Sequence, residues 1–217
     1  MNHIKAVVFD LDGTLLNTLT DLAASCNRAL SRMGRPQRTT DEIKSFIGNG
    51  ARLLCNRLVG LDEPEEVVDE CLRLFQADYN IHLNDNTAPY PGIMDMLRIL
   101  RENGVACAVV SNKYDAATRA ICDLHFGELI SVTIGEGNGI SKKPCPDGTN
   151  KALSLMGVSA EEALYVGDSD TDVETAHNAN LFCVGVTWGF RSRQVLEMAG
   201  AESIIDEPSD LLDIILK

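Results

Sequence analysis

Two clusters of aspartates are the residues in this sequence best suited to do chemistry. Asp10 and Asp12 lie in the segment FDLDGT, and Asp168 and Asp172 lie in GDSDTD. Both segments directly follow short apolar runs. Two carboxylates about 4 Å apart repel each other by roughly 4 kcal/mol at an effective dielectric constant of about 20. A hard divalent cation with oxygen ligands offsets that repulsion, so the clusters predict a metal site.

Each cluster taken alone also has an explanation that involves no chemistry. Asp10 and Asp12 equally suit a turn that ends a strand, because Gly13 follows them and permits a tight turn. Asp170 suits the first turn of a helix, where the helix dipole stabilises negative charge. The presence of both clusters favours the metal site, since the carboxyl ends of parallel strands share the edge of the sheet where ligands bind.

Two further segments supply groups that bind phosphate. Ser111 and Asn112 follow the apolar run 105–110 and can donate hydrogen bonds to phosphate oxygens. The same pair also suits a helix N-cap. Lys143 precedes Pro144, which lacks a backbone donor and restrains the residue before it. We expect Lys143 to face inward and to neutralise an anion.

Apolar runs that alternate with helical patterns predict the fold that positions these residues. The alternation is typical of a doubly wound, Rossmann-like α/β fold with a parallel sheet. Ile93, Met96, Leu97 and Leu100 have the spacing of an amphipathic helix. The predicted strands are 4–9, 105–110, 130–134, 163–166, 182–186 and 203–205, and further predicted helices are 115–125, 147–156, 170–179 and 209–216.

The segment 17–87 interrupts this alternation. It contains no convincing strand pattern, and its apolar residues recur at helical spacing, as at Leu22 and Cys26. An all-helical block inserted after the first strand of a parallel sheet indicates a separate cap. We therefore predict a helical cap at 17–87 and an α/β core formed by residues 1–16 and 88–217.

The composition disfavours several classes of partner. No apolar run reaches the roughly 18 residues that cross a membrane. The formal net charge of -13 disfavours binding to nucleic acid and to anionic membranes. Seven cysteines without a CxxC pair, and no signal-peptide pattern, predict a reduced, cytoplasmic protein. A chain this acidic needs a local positive centre, from a metal ion or a few basic residues, if it binds an anion.

Taken in order, the four segments resemble the motifs of the haloacid dehalogenase-like hydrolase superfamily, and in particular of its phosphatases. These motifs are DxDGT after the first strand, a Ser or Thr after the second, a Lys before Pro, and GDxxxD. The inserted helical block is similar to the alpha-helical cap of that superfamily. Within it, the segments IGNG at 47–50 and TWGF at 187–190 are most similar to phosphoglycolate phosphatase-like enzymes.

The resemblance implies that the protein hydrolyses small phosphate monoesters through a covalent intermediate. Asp10 would attack phosphorus and form an aspartyl-phosphate. Asp12 would protonate the leaving alkoxide and then activate water. Ser111 and Lys143 would bind the transferring phosphoryl group, and Asn112 would add a substrate contact nearby.

The resemblance also implies Mg²⁺ as the cofactor. Its ligands would be the carboxylate of Asp10, the main-chain carbonyl of Asp12 and the carboxylate of Asp168. Asp172 would support the metal through water or through contacts to its ligands.

In the cap, one loop is a candidate for contact with the substrate. Gly48, Asn49 and Gly50 would form this loop, and Arg52 would be available to pair with a substrate carboxylate. An ordinary turn between two helices explains the Gly-Asn-Gly segment equally well.

Three alternatives to a monoester phosphatase stay open at this point. A phosphomutase of the beta-phosphoglucomutase type shares the four motifs and a helical cap. An inorganic pyrophosphatase is a further enzyme, and a catalytically silent binding protein is the least favoured. In all the enzymatic cases the partner is a small phosphorylated metabolite, with phosphoglycolate the one that the subfamily implies. The sequence predicts no oligomeric state.

Overall fold

The computed structural model describes residues 4–216, which divide into two compact units. One unit contains the chain up to Asn17 and from Pro89 onward, and the other spans Thr18–Ala88. The predicted cap, 17–87, begins and ends one residue before this second unit. Within the described residues, no helix combines the length and the hydropathy that crossing a bilayer requires.

Residues 4–216 form eight strands and ten α-helices. The strands are β1 (Ala6–Phe9), β2 (Leu16–Asn17), β3 (Ala88–Pro89), β4 (Ala106–Tyr114), β5 (Val132–Glu136), β6 (Ala163–Gly167), β7 (Phe182–Val186) and β8 (Ser203–Ile205). The helices are α1 (Leu19–Arg32), α2 (Thr40–Phe46), α3 (Ala51–Val59), α4 (Glu65–His82), α5 (Ile93–Glu102), α6 (Asp115–His125), α7 (Asp147–Met156), α8 (Asp170–Asn178), α9 (Arg193–Ala199) and α10 (Pro208–Leu216). Two 3₁₀ turns, Gly127–Leu129 and Ala160–Glu162, precede β5 and β6.

The six longer strands form one parallel sheet with β1 near its middle, in the order β5-β4-β1-β6-β7-β8. Phe9 lies level with Val109 of β4 and with Val166 of β6. The chain builds one side of the sheet first and then returns to build the other, so the strand order reverses at β1. In such sheets ligands bind at this reversal, outside the carboxyl ends of the strands.

The predicted doubly wound α/β fold is confirmed, and one strand differs from its prediction in a way that affects the site. β4 continues to Tyr114, four residues beyond the predicted end at Val110. Its register with β5 shifts between Val110 and Tyr114, where Tyr114 pairs with Glu136. The polar segment that follows the apolar run is therefore an extended strand end and not the start of a helix.

Apolar side chains from both sides of the sheet hold the core unit together. All four residues of β1 are buried, as expected for a central parallel strand. The predicted stripe of α5 is buried along its whole length. A second cluster packs α7 and α8 against the sheet; its members include Val8, Val110, Ile134, Leu153, Tyr165, Val173, Cys183 and Leu196.

The second unit consists of α1 to α4 and has its own apolar centre. Phe75 and Tyr79 of α4 are buried, and their rings stack with centroids 5.5 Å apart. Thr39 caps α2 through a reciprocal pair of hydrogen bonds with Glu42. Arg38 donates to the carbonyl of Leu58 near the end of α3, at 3.0 Å from Nη2. These contacts satisfy backbone groups at helix ends that would otherwise lack partners.

A buried carboxylate ties the beginning of this unit to its end. Asp21, in the first turn of α1, is 2% exposed. Its oxygens accept hydrogen bonds from the backbone N–H groups of Asn86 and Thr87, both at 2.8 Å. The side chains of the same two residues donate as well, also at 2.8 Å. Burial by itself raises the pKa of Asp21, but these hydrogen bonds outweigh burial and lower it.

Replacing Asp21 by asparagine is expected to lower the free energy of unfolding by about 2 kcal/mol near neutral pH, because an amide donor then faces N–H donors. The lowered pKa means that Asp21 stabilises the fold above its unfolded-state pKa of about 3.9. That stabilisation is lost as the pH falls through the lower, folded-state value. Urea unfolding from about pH 7 to about pH 3.5 should therefore show the two proteins converging in acid.

The exposed Asp62 of the same unit provides the control. Asp62→Asn should change the free energy of unfolding by no more than about 0.5 kcal/mol. Equal stability of wild type and Asp21→Asn at neutral pH would contradict the prediction, and so would a difference that grows in acid.

Candidate active site

The carboxyl end of β1 places Asp10 at the centre of the site. Asp10 directly follows Phe9, which pairs with Val109 of β4 and with Val166 of β6. Asp10 is 8% exposed, and its backbone N–H donates to the carbonyl of Val166 at 2.9 Å. The backbone of Asp10, the residue predicted to be the nucleophile, is thus held in place by the sheet.

Asp168 follows β6 and is held from two directions. One oxygen accepts from Thr14 Oγ1 at 3.1 Å, and the other accepts from the backbone N–H of Phe190 at 2.6 Å. The segments that contain Thr14 and Phe190 approach Asp168 so closely that the residue before each of them, Gly13 and Gly189, has no room for a side chain. A Cβ on Gly13 would lie 2.5 Å from Asp168 Oδ2, and one on Gly189 would lie 2.3 Å from Asp168 Cβ.

Asp172 both caps a helix and belongs to the site. Its Oδ2 accepts from the N–H and Oγ of Ser169, at 3.1 and 2.6 Å, while Ser169 caps α8 in return. Its Oδ1 accepts from Lys143 Nζ at 2.7 Å and from Tyr165 Oη at 3.2 Å. A Cβ on Gly167 would lie 2.3 Å from Asp172 Cβ, so a larger residue there would displace the carboxylate.

Lys143 links the two acidic clusters. Its ammonium lies 2.6 Å from Asp10 Oδ1 and 2.7 Å from Asp172 Oδ1, and its side chain is 4% exposed. Asn112 fixes the Lys143 backbone: Asn112 Nδ2 donates to the Lys143 carbonyl at 3.1 Å, and the Lys143 N–H donates to Asn112 Oδ1 at 2.7 Å. Asn112 therefore positions the lysine loop. Its predicted contact with the substrate stays a prediction.

Crowding and burial perturb the ionisation of this cluster. Burial and repulsion from Asp172 raise the pKa of Asp10 well above its usual value, although Lys143 opposes the shift. Burial and Asp172 raise the pKa of Asp168 to about 7. Burial lowers the pKa of Lys143, but attraction to Asp10 and Asp172 outweighs burial and raises it well above normal. One ammonium does not neutralise three neighbouring carboxylates.

The donor set of this cluster suits a hard metal ion. Asp10, Asp168 and Asp172 each present one carboxylate oxygen, and these oxygens lie within 4.8 Å of one another. Oxygen ligands on buried, mutually repelling carboxylates are what Mg²⁺ or Ca²⁺ prefers. The side chain of Asp12 lies outside this group, and the predicted role of its main-chain carbonyl as a metal ligand stays a prediction.

Asp12 and the end of β4 form a second group of contacting residues in the site. Lys113 Nζ lies 3.0 Å from Asp12 Oδ1 and 3.3 Å from Asp12 Oδ2. Ser111 is 6% exposed, and its Oγ accepts from the N–H of Lys113 at 3.2 Å. The roles of Asp12 as acid–base group and of Ser111 as phosphate ligand stay predictions.

Sequence patterns missed two residues that the structure places in this cluster. Lys113 pairs with Asp12, and Tyr165 donates to Asp172. Lys113 had a usable signal: it continues a polar triplet directly after an apolar strand. Tyr165 had none, because an aromatic residue in a buried strand is ordinarily core.

The candidate residues of the second unit have local partners there. Gly48 and Gly50 have φ angles of 118° and 88°, which favour glycine. Asn49 Oδ1 accepts from Arg57 Nη1 at 3.0 Å. Arg52 is exposed and forms ion pairs with two carboxylates on α4, those of Glu65 and Asp69. Contact of these residues with a substrate stays a prediction.

Comparison with known proteins identifies a family and several similar proteins. The profile of the haloacid dehalogenase-like hydrolases matches residues 7–186. Phosphoglycolate phosphatases of Pseudomonas putida and Pseudomonas aeruginosa are 33% and 34% identical over 214 residues, covering 96% of this chain and 78% of each relative. The crystal structure of a candidate phosphoglycolate phosphatase from Lactobacillus delbrueckii subsp. bulgaricus is 33% identical, covers 99% of both chains and has a TM-score of 0.94.

Proposed function

The chain belongs to the haloacid dehalogenase-like hydrolase family, and from that premise we propose that it hydrolyses small phosphate monoesters through phosphorylation of Asp10. Phosphoglycolate is the substrate we infer, because relatives 33% and 34% identical over 96% of this chain carry that activity in their names. The observation that carries the proposal is the contact of the Lys143 ammonium with Asp10, at 2.6 Å, inside a cluster of carboxylates that could hold a metal ion.

In the first half-reaction a carboxylate oxygen of Asp10 attacks phosphorus and the bond to the ester oxygen breaks. Asp12 gives its proton to the departing alkoxide, so the alcohol leaves neutral. Lys143 lies where it can balance the charge on the phosphoryl oxygens, and Ser111 supplies a hydroxyl donor. The products of this step are the alcohol and an aspartyl-phosphate on Asp10.

In the second half-reaction water attacks the phosphorus of the aspartyl-phosphate. Asp12 accepts the proton of that water, and the bond between phosphorus and the Asp10 oxygen breaks. Inorganic phosphate leaves, Asp10 is regenerated as a carboxylate, and Asp12 is again protonated. The cycle consumes one water and returns every residue to its starting state.

Mg²⁺ is the metal that we propose for this site, held by Asp10 and Asp168, with the main-chain carbonyl of Asp12 and support from Asp172. When bound, it supplies positive charge that neutralises the carboxylates and polarises a phosphate oxygen. Asp172 also holds Lys143, so the ammonium stays beside Asp10 as charge moves. Positioning and charge of this kind account for most of the catalysis of phosphoryl transfer.

Neither a mutase of the beta-phosphoglucomutase type nor a pyrophosphatase is favoured, since the curated relatives at 33% and 34% identity are named phosphatases. A cytoplasmic location is also part of the proposal. Its support is that all seven cysteines are free thiols and that six of them are buried, as is usual in a reducing compartment.

A panel of substrates tests the proposal. Phosphoglycolate, glucose 1-phosphate, glucose 6-phosphate, p-nitrophenyl phosphate and inorganic diphosphate would be incubated with the protein and Mg²⁺, with free phosphate and kcat/KM measured for each. We expect phosphoglycolate to give the highest kcat/KM and to release one phosphate per molecule consumed. Interconversion of the glucose phosphates without free phosphate would refute hydrolysis, and a preference for diphosphate would refute the substrate class.

A further inference from the structure

Besides Lys143, a second buried ammonium belongs to the core site, and it serves a different carboxylate. The Lys113 side chain is 4% exposed and that of Asp12 is 13% exposed. Its Nζ contacts both oxygens of Asp12, at 3.0 and 3.3 Å, whereas Lys143 contacts Asp10 and Asp172. The two lysines thus contact different aspartates, and the side chain of Asp12 lies outside the group Asp10, Asp168 and Asp172 that could hold a metal ion.

The backbone around Lys113 is fixed closely enough to make this pairing specific. The N–H of Lys113 donates to Ser111 Oγ at 3.2 Å, and its carbonyl accepts from Thr118 Oγ1 at 3.0 Å. On the neighbouring strand β5, a Cβ on Gly135 would lie only 2.7 Å from that carbonyl. The register shift of β4 between Val110 and Tyr114 lies at the same place. Tight packing therefore fixes the backbone from which the Lys113 side chain reaches Asp12.

We propose that Lys113 is a positioning residue that holds the carboxyl group of Asp12 in the orientation needed for proton transfer in both half-reactions, as the acid that donates in the first and as the carboxylate that accepts in the second. The proposal rests on the function inferred above for Asp12. A carboxylate paired through both oxygens has little rotational freedom, whereas an unpaired one samples several rotamers. Lys113 acts through Asp12 and not on the phosphoryl group, which distinguishes it from Lys143.

The two half-reactions depend on Asp12 to different extents when the leaving group is changed. An alkoxide needs a proton to leave, but p-nitrophenolate leaves without one. Hydrolysis of the aspartyl-phosphate needs Asp12 with every substrate, because the same intermediate forms from all of them. Misplacing Asp12 should therefore make the second half-reaction rate-limiting with p-nitrophenyl phosphate and slow both half-reactions with an alkyl phosphate.

Lys113→Met, which keeps the length of the side chain and removes its charge, tests this directly. With p-nitrophenyl phosphate we expect a burst of p-nitrophenolate and accumulation of acid-trapped phosphoenzyme. We expect kcat to fall about 10²-fold, the scale of general acid–base catalysis, with KM little changed. Lys113→Arg, which restores a cation, should recover a substantial part of kcat. If Lys113→Met fails to fold, Lys113→Gln provides the same measurements.

Two further variants make the result decisive. Asp12→Asn should accumulate phosphoenzyme as Lys113→Met does, and Lys151→Met, which removes an exposed lysine on α7, should match wild type. A raised KM without a burst in Lys113→Met would mean that Lys113 binds substrate. Wild-type kinetics in Lys113→Met would mean that Lys113 has no role. Either result would overturn the inference about Lys113 and leave the proposed function standing. Absence of phosphoenzyme in Asp12→Asn would overturn the proposed function and the inference with it.

Discussion

Asp10→Asn is expected to lower kcat for phosphoglycolate by a factor on the order of 10⁴ or more, the scale seen when a covalent nucleophile is removed. Asparagine cannot form the aspartyl-phosphate, so acid quenching should trap no phosphoenzyme with any substrate. The geometry gives the reason: Asp10 is the carboxylate at the strand end with a lysine ammonium at 2.6 Å. Steady-state assays and radiolabel trapping would measure both effects.

The same substitution should not destabilise the metal-free protein. Burial and repulsion from Asp172 raise the pKa of Asp10, so the ionised carboxylate is disfavoured in the folded state. A neutral amide of the same size relieves that repulsion, and the thermal midpoint should stay level or rise. Asp123→Asn, at an exposed position of α6, should keep both activity and stability. If Asp10→Asn still formed a phosphoenzyme, the nucleophile would have to be another residue.

Lys143→Met is expected to have the second largest effect, because it leaves two buried carboxylates without their shared cation. Removing one partner of a buried ion pair costs about 3–5 kcal/mol of stability, and Asp10 and Asp172 both lose a contact shorter than 3 Å. Activity should fall by about 10²- to 10³-fold, as when a donor to the developing charge is lost. Urea unfolding and kcat/KM would measure these changes.

A double-mutant cycle separates the role of Lys143 from general damage. Adding Asp10→Asn to Lys143→Met should recover part of the lost stability, because one of the two unpaired charges is gone. Lys142→Met removes a neighbouring lysine that is exposed and pairs with Glu136 at 3.1 Å, so it should cost no more than about 1 kcal/mol. Strictly additive losses in the cycle would contradict the proposed contact between Lys143 and Asp10.

The structure also gives a physical answer to how so acidic a chain binds a phosphate. The formal net charge is -13, yet two buried ammoniums, Lys113 and Lys143, lie among the aspartates at one edge of the sheet. Charges that are shielded from water act more strongly over short distances than those on the surface. The local field at the site therefore differs from the average field of the protein.

Much of this protein could be predicted from residue patterns, because those patterns report local physics. The buried run before Asp10 predicts a central parallel strand, and the stripe of α5 predicts the face that is buried. The bounds of α6 and α7 match their predictions, 115–125 and 147–156. Parallel strands of a doubly wound sheet end on one edge, so the sequence also indicated that Asp10 and Asp168 would be neighbours.

The partners of each functional group were decided only by tertiary structure. Asp12 and Lys113 are 101 positions apart, and Trp188 Nε1 donates to the Thr14 carbonyl, at 2.9 Å, across 174 positions. No local preference encodes such pairs, because they depend on the strand order and register that bring distant segments together. Asn112 shows the difference: its type suggested a phosphate ligand, and folding placed its amide against the backbone of Lys143.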